Sequence, residues 1–168
     1  ESTIVDLSEE RPMILRPGFI TQEMLSAVLG DVGMDPGLAS ENSKQPPKAP
    51  GMRYRHYAPK ADLTLVEGTM EEVISKINAL TREAQAMGKS VGVLATEENK
   101  DCYVADHVIV IGQRQDEAEI ARHLFDVLRQ FDDLQVDLIY SESFVAAGVG
   151  QAIMNRLLKA AGHKRIFV

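Results

Sequence analysis

The residues best suited to chemistry lie in one short run, Ala49-Pro50-Gly51-Met52-Arg53-Tyr54-Arg55-His56-Tyr57-Ala58-Pro59-Lys60. Two arginines, two tyrosines and a histidine stand almost side by side, prolines close both ends, and no acidic side chain interrupts. A guanidinium forks onto phosphate or carboxylate oxygens and stacks on planar groups, while tyrosine offers a rigid ring with a polar tip. Proline biases the residue before it toward extended backbone, so the run is not helical. Such a segment suits a flat, anionic partner, and a nucleotide fits that description. The same residues also suit a basic linker whose aromatic rings pin it to a neighbouring surface. Composition leaves both readings open.

The rest of the chain bounds what that run can serve. With 168 residues and 45% hydrophobic side chains, the chain can hold one domain, or one domain plus pieces, around a real core. A net charge of -7 excludes a general nucleic-acid binder and confines basic contacts to residues 44–60, where Lys44, Lys48, Arg53, Arg55 and Lys60 occur without Asp or Glu. No direct, stable nucleic-acid binding is expected. Cys102 is the single cysteine, which excludes an internal disulfide and a cysteine-built metal site. It is expected as a small buried or half-buried side chain in a protein of a reducing compartment. No apolar run approaches membrane-spanning length and no signal-peptide pattern is present, so the expected location is cytoplasmic. Because the chain enters a strand-like run straight from Glu1, it is expected to be a fragment that starts inside a domain.

Residues 3–7 and 12–16 read as two strands with a polar turn between them. Thr21 is placed to cap a helix apolar at Met24, Leu25, Val28 and Leu29, with Gly30 as its stop. A hairpin and one helix cannot bury both faces. Residues 31–48 have linker composition, with Gly, Pro, Ser, Asn and Lys and few apolar side chains. From residue 61 the pattern alternates. Strands are expected at 63–66, 90–95, 107–111, 136–140 and 165–168. One helix opens on a Thr69/Glu72 capping box, with Met70, Val73, Ile74, Ile77, Leu80 and Ala84 on one face and Gly88 as its stop. A second opens at Asp116 with Ile120, Leu124, Val127, Leu128 and Phe131 inward, and a third follows Gly148-Val149-Gly150 with Ile153, Leu157 and Leu158 inward and Gly162 as its stop. Strands separated by helix-length segments predict right-handed crossovers and a mainly parallel, five-stranded, three-layer Rossmann-like α/β domain.

Ligands of open parallel sheets sit beyond the carboxyl ends of the strands. Two loops lie there, Glu67-Gly68-Thr69 and residues 141–150 with Ser141, Glu142, Ser143, Gly148 and Gly150. Neither carries a GxGxxG or P-loop pattern, so their glycines are read chiefly as turn-forming. His107, His123 and His163 are expected as surface or capping residues, and no His or carboxylate cluster has zinc-like spacing.

The run at residues 50–60 resembles the linker motif of the two-domain threonylcarbamoyl-AMP synthase family, whose members join a YrdC-like catalytic domain, this linker and a smaller C-terminal domain. Residues 1–7 and Ile14-Leu15-Arg16-Pro17-Gly18 resemble the closing strands of the YrdC-like α/β domain, and residues 148–162 resemble the family's last helix. The resemblance implies a catalytic-domain tail at 1–30, here a hairpin plus helix, a linker at 31–60 and an accessory domain at 61–168. It implies an enzyme, a nucleotidyltransferase that converts L-threonine, bicarbonate and ATP, with Mg2+, to threonylcarbamoyl-AMP and pyrophosphate. The product serves a downstream tRNA-modifying transferase complex. By position, Ser2 matches a serine that contacts threonine, while Arg16 and Tyr57 match residues that contact ATP. Arg53, Arg55 and His56 are further contacts of a lid closing over the nucleotide. No catalytic residue is assigned. The family's main ATP and threonine motifs have no counterpart in this chain, so it is expected to be inactive alone. A rival expectation is a stand-alone nucleotide-sensing or partner-binding Rossmann-like module.

Overall fold

Two sheets organise the chain in the computed structural model, which describes residues 2–38 and 58–168. Arg53, Arg55, His56 and Tyr57 lie outside the described residues.

The larger sheet consists of β4 (Asp62–Glu67), β5 (Val91–Ala95), β6 (His107–Val110), β7 (Leu138–Glu142) and β8 (Arg165–Phe167) in the order β6-β5-β7-β4-β8. Every neighbouring pair is parallel. Strand β5 reads Val-Gly-Val-Leu-Ala and is buried at every position, as a strand covered on both faces should be. The covers are α3 (Glu117–Asp133) and α4 (Gly148–Ala160) on one face and α2 (Met70–Ala86) on the other. Leu124, Phe131, Ile153 and Leu157 share a core with Leu63, Leu65, Leu94 and Ile139. Val73, Ile77 and Ala84 form a second core with Val66, Val91, Val93 and Tyr140. The expected three-layer Rossmann-like architecture is therefore present, and its sheet is wholly parallel.

Local signals set the helices. The buried residues of α3 are Ile120, Leu124, Val127, Leu128 and Phe131, the stripe that its 3.6-residue periodicity specifies. Asp116 accepts from the Glu119 amide at 2.9 Å to cap it. At α2, Glu72 accepts from the Thr69 amide at 3.3 Å and its hydroxyl at 2.6 Å.

The smaller sheet, β1 (Ile4–Asp6), β2 (Met13–Arg16) and β3 (Gly33–Met34), runs in the order β1-β2-β3. The first pair is antiparallel and the second parallel, with α1 (Gln22–Leu29) as the crossover. Strand β3 falls inside the stretch whose composition reads as linker. Tertiary pairing overrides that composition: Asp35 donates its amide to the Ile14 carbonyl at 2.9 Å, and Val32 and Asp35 are buried. A salt bridge between Arg11 and Asp31 at 2.8 Å ties the same corner.

Two further expectations change. Strand β7 begins and ends two residues later than 136–140, so Ser141 and Glu142 are buried strand residues and not part of a loop. Cys102 is exposed at the end of a 3-10 turn. In a turn on the surface, a small apolar side chain has no core to enter.

Candidate functional site

Strand pairing brings two of the sequence-selected residues together. Arg16 ends β2 opposite Ile4 of β1, which carries its side chain back over the start of the chain. Its Nε donates to the Ser2 carbonyl oxygen at 3.0 Å and its Nη2 donates to Ser2 Oγ at 3.1 Å. A guanidinium has five N–H donors in a fixed fork, so this contact orients the group while leaving other donors for an anion. The Ser2 hydroxyl accepts from Arg16 and keeps its own proton to donate. Ser2 is exposed and Arg16 half-buried, so the pair forms a donor cluster at an open sheet end.

A second cluster occupies the point in the larger sheet where the strand order reverses. The chain leaves β5 toward β6 and leaves the adjacent β7 toward β8, so the two carboxyl ends open onto a crevice. Glu142, fully buried, fills it. Its carboxylate accepts from Thr96 Oγ1 at 3.0 Å, the Thr96 amide at 3.3 Å, Asn99 Nδ2 at 3.2 Å and the Tyr103 hydroxyl at 2.8 Å. Arg114 Nη2 completes an ion pair with the same carboxylate. Burial, and then the Glu142 charge, push the Tyr103 phenol up, which keeps it a proton donor. Arg114 also donates Nη1 to the Ser143 carbonyl at 2.9 Å and lies over the Phe144 ring at 5.2 Å. The carboxylate oxygens are taken up by these donors. Glu142 pins the ends of β5 and β7 and fixes a guanidinium at the mouth of the crevice. The visible signal was a charged residue two positions after the apolar Leu138-Ile139-Tyr140, but its burial depended on where β7 ends.

The two loops considered for ligands are filled by the protein itself. At the start of α4 the Gly150 amide donates to Glu117 Oε2 at 2.9 Å, so an internal carboxylate occupies that helix end. A Cβ at Gly150 would stand 2.1 Å from the Val145 carbonyl oxygen, which explains the glycine by packing. At Gly68, with φ of +158°, a Cβ would stand 2.6 Å from the carbonyl oxygen of Val168, whose amide donates to the Glu67 carbonyl at 2.9 Å. Among the described residues no group of three or more His, Cys, Asp or Glu could hold a metal ion, and no helix is long and apolar enough to cross a membrane.

A wholly parallel sheet between helical layers, with its polar cluster at the reversal of strand order, defines the larger unit as a Rossmann-like α/β domain. A family model described as threonylcarbamoyl-AMP synthase, C-terminal domain, matches residues 20–162, and the chain belongs to the threonylcarbamoyl-AMP synthase family. It is 47% identical over 166 residues to the threonylcarbamoyl-AMP synthase of Bacillus subtilis, covering 99% of this chain and 46% of that protein. Among solved structures it resembles Pyrococcus abyssi Sua5 complexed with L-threonine, with a TM-score of 0.87 and 41% identity, covering 100% of this chain and 47% of the other. A C-terminal Sua5 domain from Pyrococcus horikoshii matches with a TM-score of 0.54 and 37% identity, covering 66% of this chain and 100% of that one. The chain thus spans about half the length of the curated relatives it matches.

Proposed function

We propose that this chain is part of an L-threonylcarbamoyladenylate synthase, which joins L-threonine, bicarbonate and ATP to give threonylcarbamoyl-AMP and pyrophosphate for the threonylcarbamoyladenosine modification of tRNA. The observation that carries the reading is the forked contact between Arg16 and Ser2, a polarised donor pair that suits a substrate carboxylate or phosphate. Ser2 hydrogen-bonds threonine, Arg16 holds phosphate charge of ATP, and Tyr57 closes over the nucleotide with Arg53, Arg55 and His56 beside it. Excluding water in this way protects a labile carbamoyl intermediate. The product passes to a tRNA-modifying transferase complex in the cytoplasm.

In this reading residues 2–38 belong with the catalytic domain, residues 39–60 are the linker, and the five-stranded unit is an accessory domain. Placing the boundary after residue 38 is supported by the pairing of β3 with β2. The described residues do not supply a carboxylate cluster for Mg2+.

The test uses a polypeptide of the relatives' full length that carries this chain. Arg16→Ala and Tyr57→Ala should each raise the KM for ATP about tenfold, and Ser2→Ala should raise the KM for threonine with ATP use unchanged. Wild-type kinetics in all three variants would remove the assignment. Calorimetry separates the rival, since a stand-alone nucleotide sensor would bind ATP tightly as this chain alone.

A further inference from the structure

The smaller unit and the larger domain share a cleft. One wall is formed by Pro17 and Phe19, in the loop that follows β2, and the other by α3 and α4. On α3, Ala118, Ala121 and Arg122 share one helical face, and on α4 Val149, Ala152 and Arg156 do the same. Alanine at three of those positions leaves the helices without side chains long enough to reach Phe19, which stays 59% exposed, and a cavity of about 260 Å3 remains between the units. Ile153, fully buried, closes its floor. Every uncharged residue of the lining is apolar, and its charged side chains are the two arginines, with no carboxylate among the described lining residues. Water in such a cleft finds few hydrogen-bond partners on the walls, so an apolar body displaces it favourably. A guanidinium offers five N–H donors and forks onto a carboxylate. Pockets for drug-sized ligands begin at about 300 Å3 and favour the boundaries between units, so this one suits something smaller.

We propose that this cleft binds a small monocarboxylate with a compact apolar body, the body lying between Phe19 and the alanines and the carboxylate on Arg122 and Arg156. An inorganic anion would leave the apolar walls wet, and a neutral hydrocarbon would leave the guanidinium groups unused. A ligand there touches both units at once and ties the loop after Arg16 to α3 and α4. The inference stands apart from the substrate reading of Ser2 and Arg16, since neither residue lines the cleft.

The experiment titrates this chain, isotope-labelled for NMR, with cyclohexanecarboxylate and follows the backbone amide shifts. Saturable shifts are expected around Pro17 and Phe19 and along the lining faces of α3 and α4. Acetate, which lacks the apolar body, and cyclohexylamine, which reverses the charge, should each bind about tenfold more weakly or worse. Ala118→Phe fills the cleft from an exposed position and Arg122→Glu reverses its charge, and each should weaken cyclohexanecarboxylate by about tenfold or more at an unchanged melting midpoint. If Ala118→Phe lowers the midpoint, Arg122→Glu decides alone, because Arg122 is exposed. No saturation by about 10 mM would overturn the site. So would shifts centred elsewhere, equal affinity for acetate or cyclohexylamine, or unchanged affinity in Arg122→Glu.

Discussion

The unit at residues 2–38 and the domain at 58–168 dispose of their apolar surface in opposite ways. In the domain, helices cover both faces of the sheet and the strand residues Leu63, Leu65, Val91 and Ile139 are fully buried. In the smaller unit, α1 has no buried residue, and Phe19, Ile20, Met24, Val28 and Leu29 are all exposed. Three short strands and an eight-residue helix cannot enclose a core, whereas five strands between helical layers can. The existence of a C-terminal domain as a separate solved structure, matched along its entire length, fits that contrast. The Arg16–Ser2 donor pair sits in the smaller unit, and the Lys60 amide is bonded to the larger domain. The buried core is thus concentrated in the larger region, and the exposed donor pair lies in the smaller.

Substitutions can break or sharpen that division. The largest effect is expected at Glu142→Ala, which strands Arg114, Tyr103 and Thr96 and should cost the domain about 3–5 kcal/mol in chemical denaturation. A loss below about 1 kcal/mol would mean that the cluster does not pin β5 to β7. Next, Gly150→Ala forces a Cβ onto the Val145 carbonyl and should cost about 1–3 kcal/mol, read from the same unfolding curves; an unchanged midpoint would show that α4 shifts freely.

Smaller still is Asp106→Ala, at about 1 kcal/mol or less, because Asp106 is exposed. The Val91 amide, bonded at 2.8 Å, holds the Asp106 carboxyl below its ordinary 3.8. A depressed carboxyl stabilises the fold above its unfolded pKa, and that contribution disappears as pH falls through the lower folded value. The gap between wild type and Asp106→Ala should therefore close on acidification, and a gap that widens would reverse the sign. Least affected is Val28→Ser, expected within about 0.5 kcal/mol in this chain since Val28 is 83% exposed. A larger loss would place α1 in a core and erase the contrast.

Much of the domain was legible because its signals are local. The Asp116 cap, the Thr69 and Glu72 box and the five-residue stripe of α3 each act within a few turns of helix, so spacing alone locates them. Strand β3 was hidden because a two-residue parallel pairing leaves no periodicity to detect. The Glu142 cluster was hidden for a different reason. Its partners come from positions 96, 99, 103 and 114, which sequence separates and only the strand order assembles.

By itself the sequence determined the class of fold and the N-terminal caps of α1, α2 and α3, since propensity, capping and apolar spacing are short-range properties, whereas Ser2 and Arg16 were singled out by family resemblance alone. Tertiary structure alone decided that Arg16 grips Ser2, that Glu117 and Val168 close the two candidate ligand loops, and that Asp132 holds the Lys60 amide. Each of those contacts joins residues far apart in the chain. Their distances are set by how strands pair and helices cross, which no local pattern encodes.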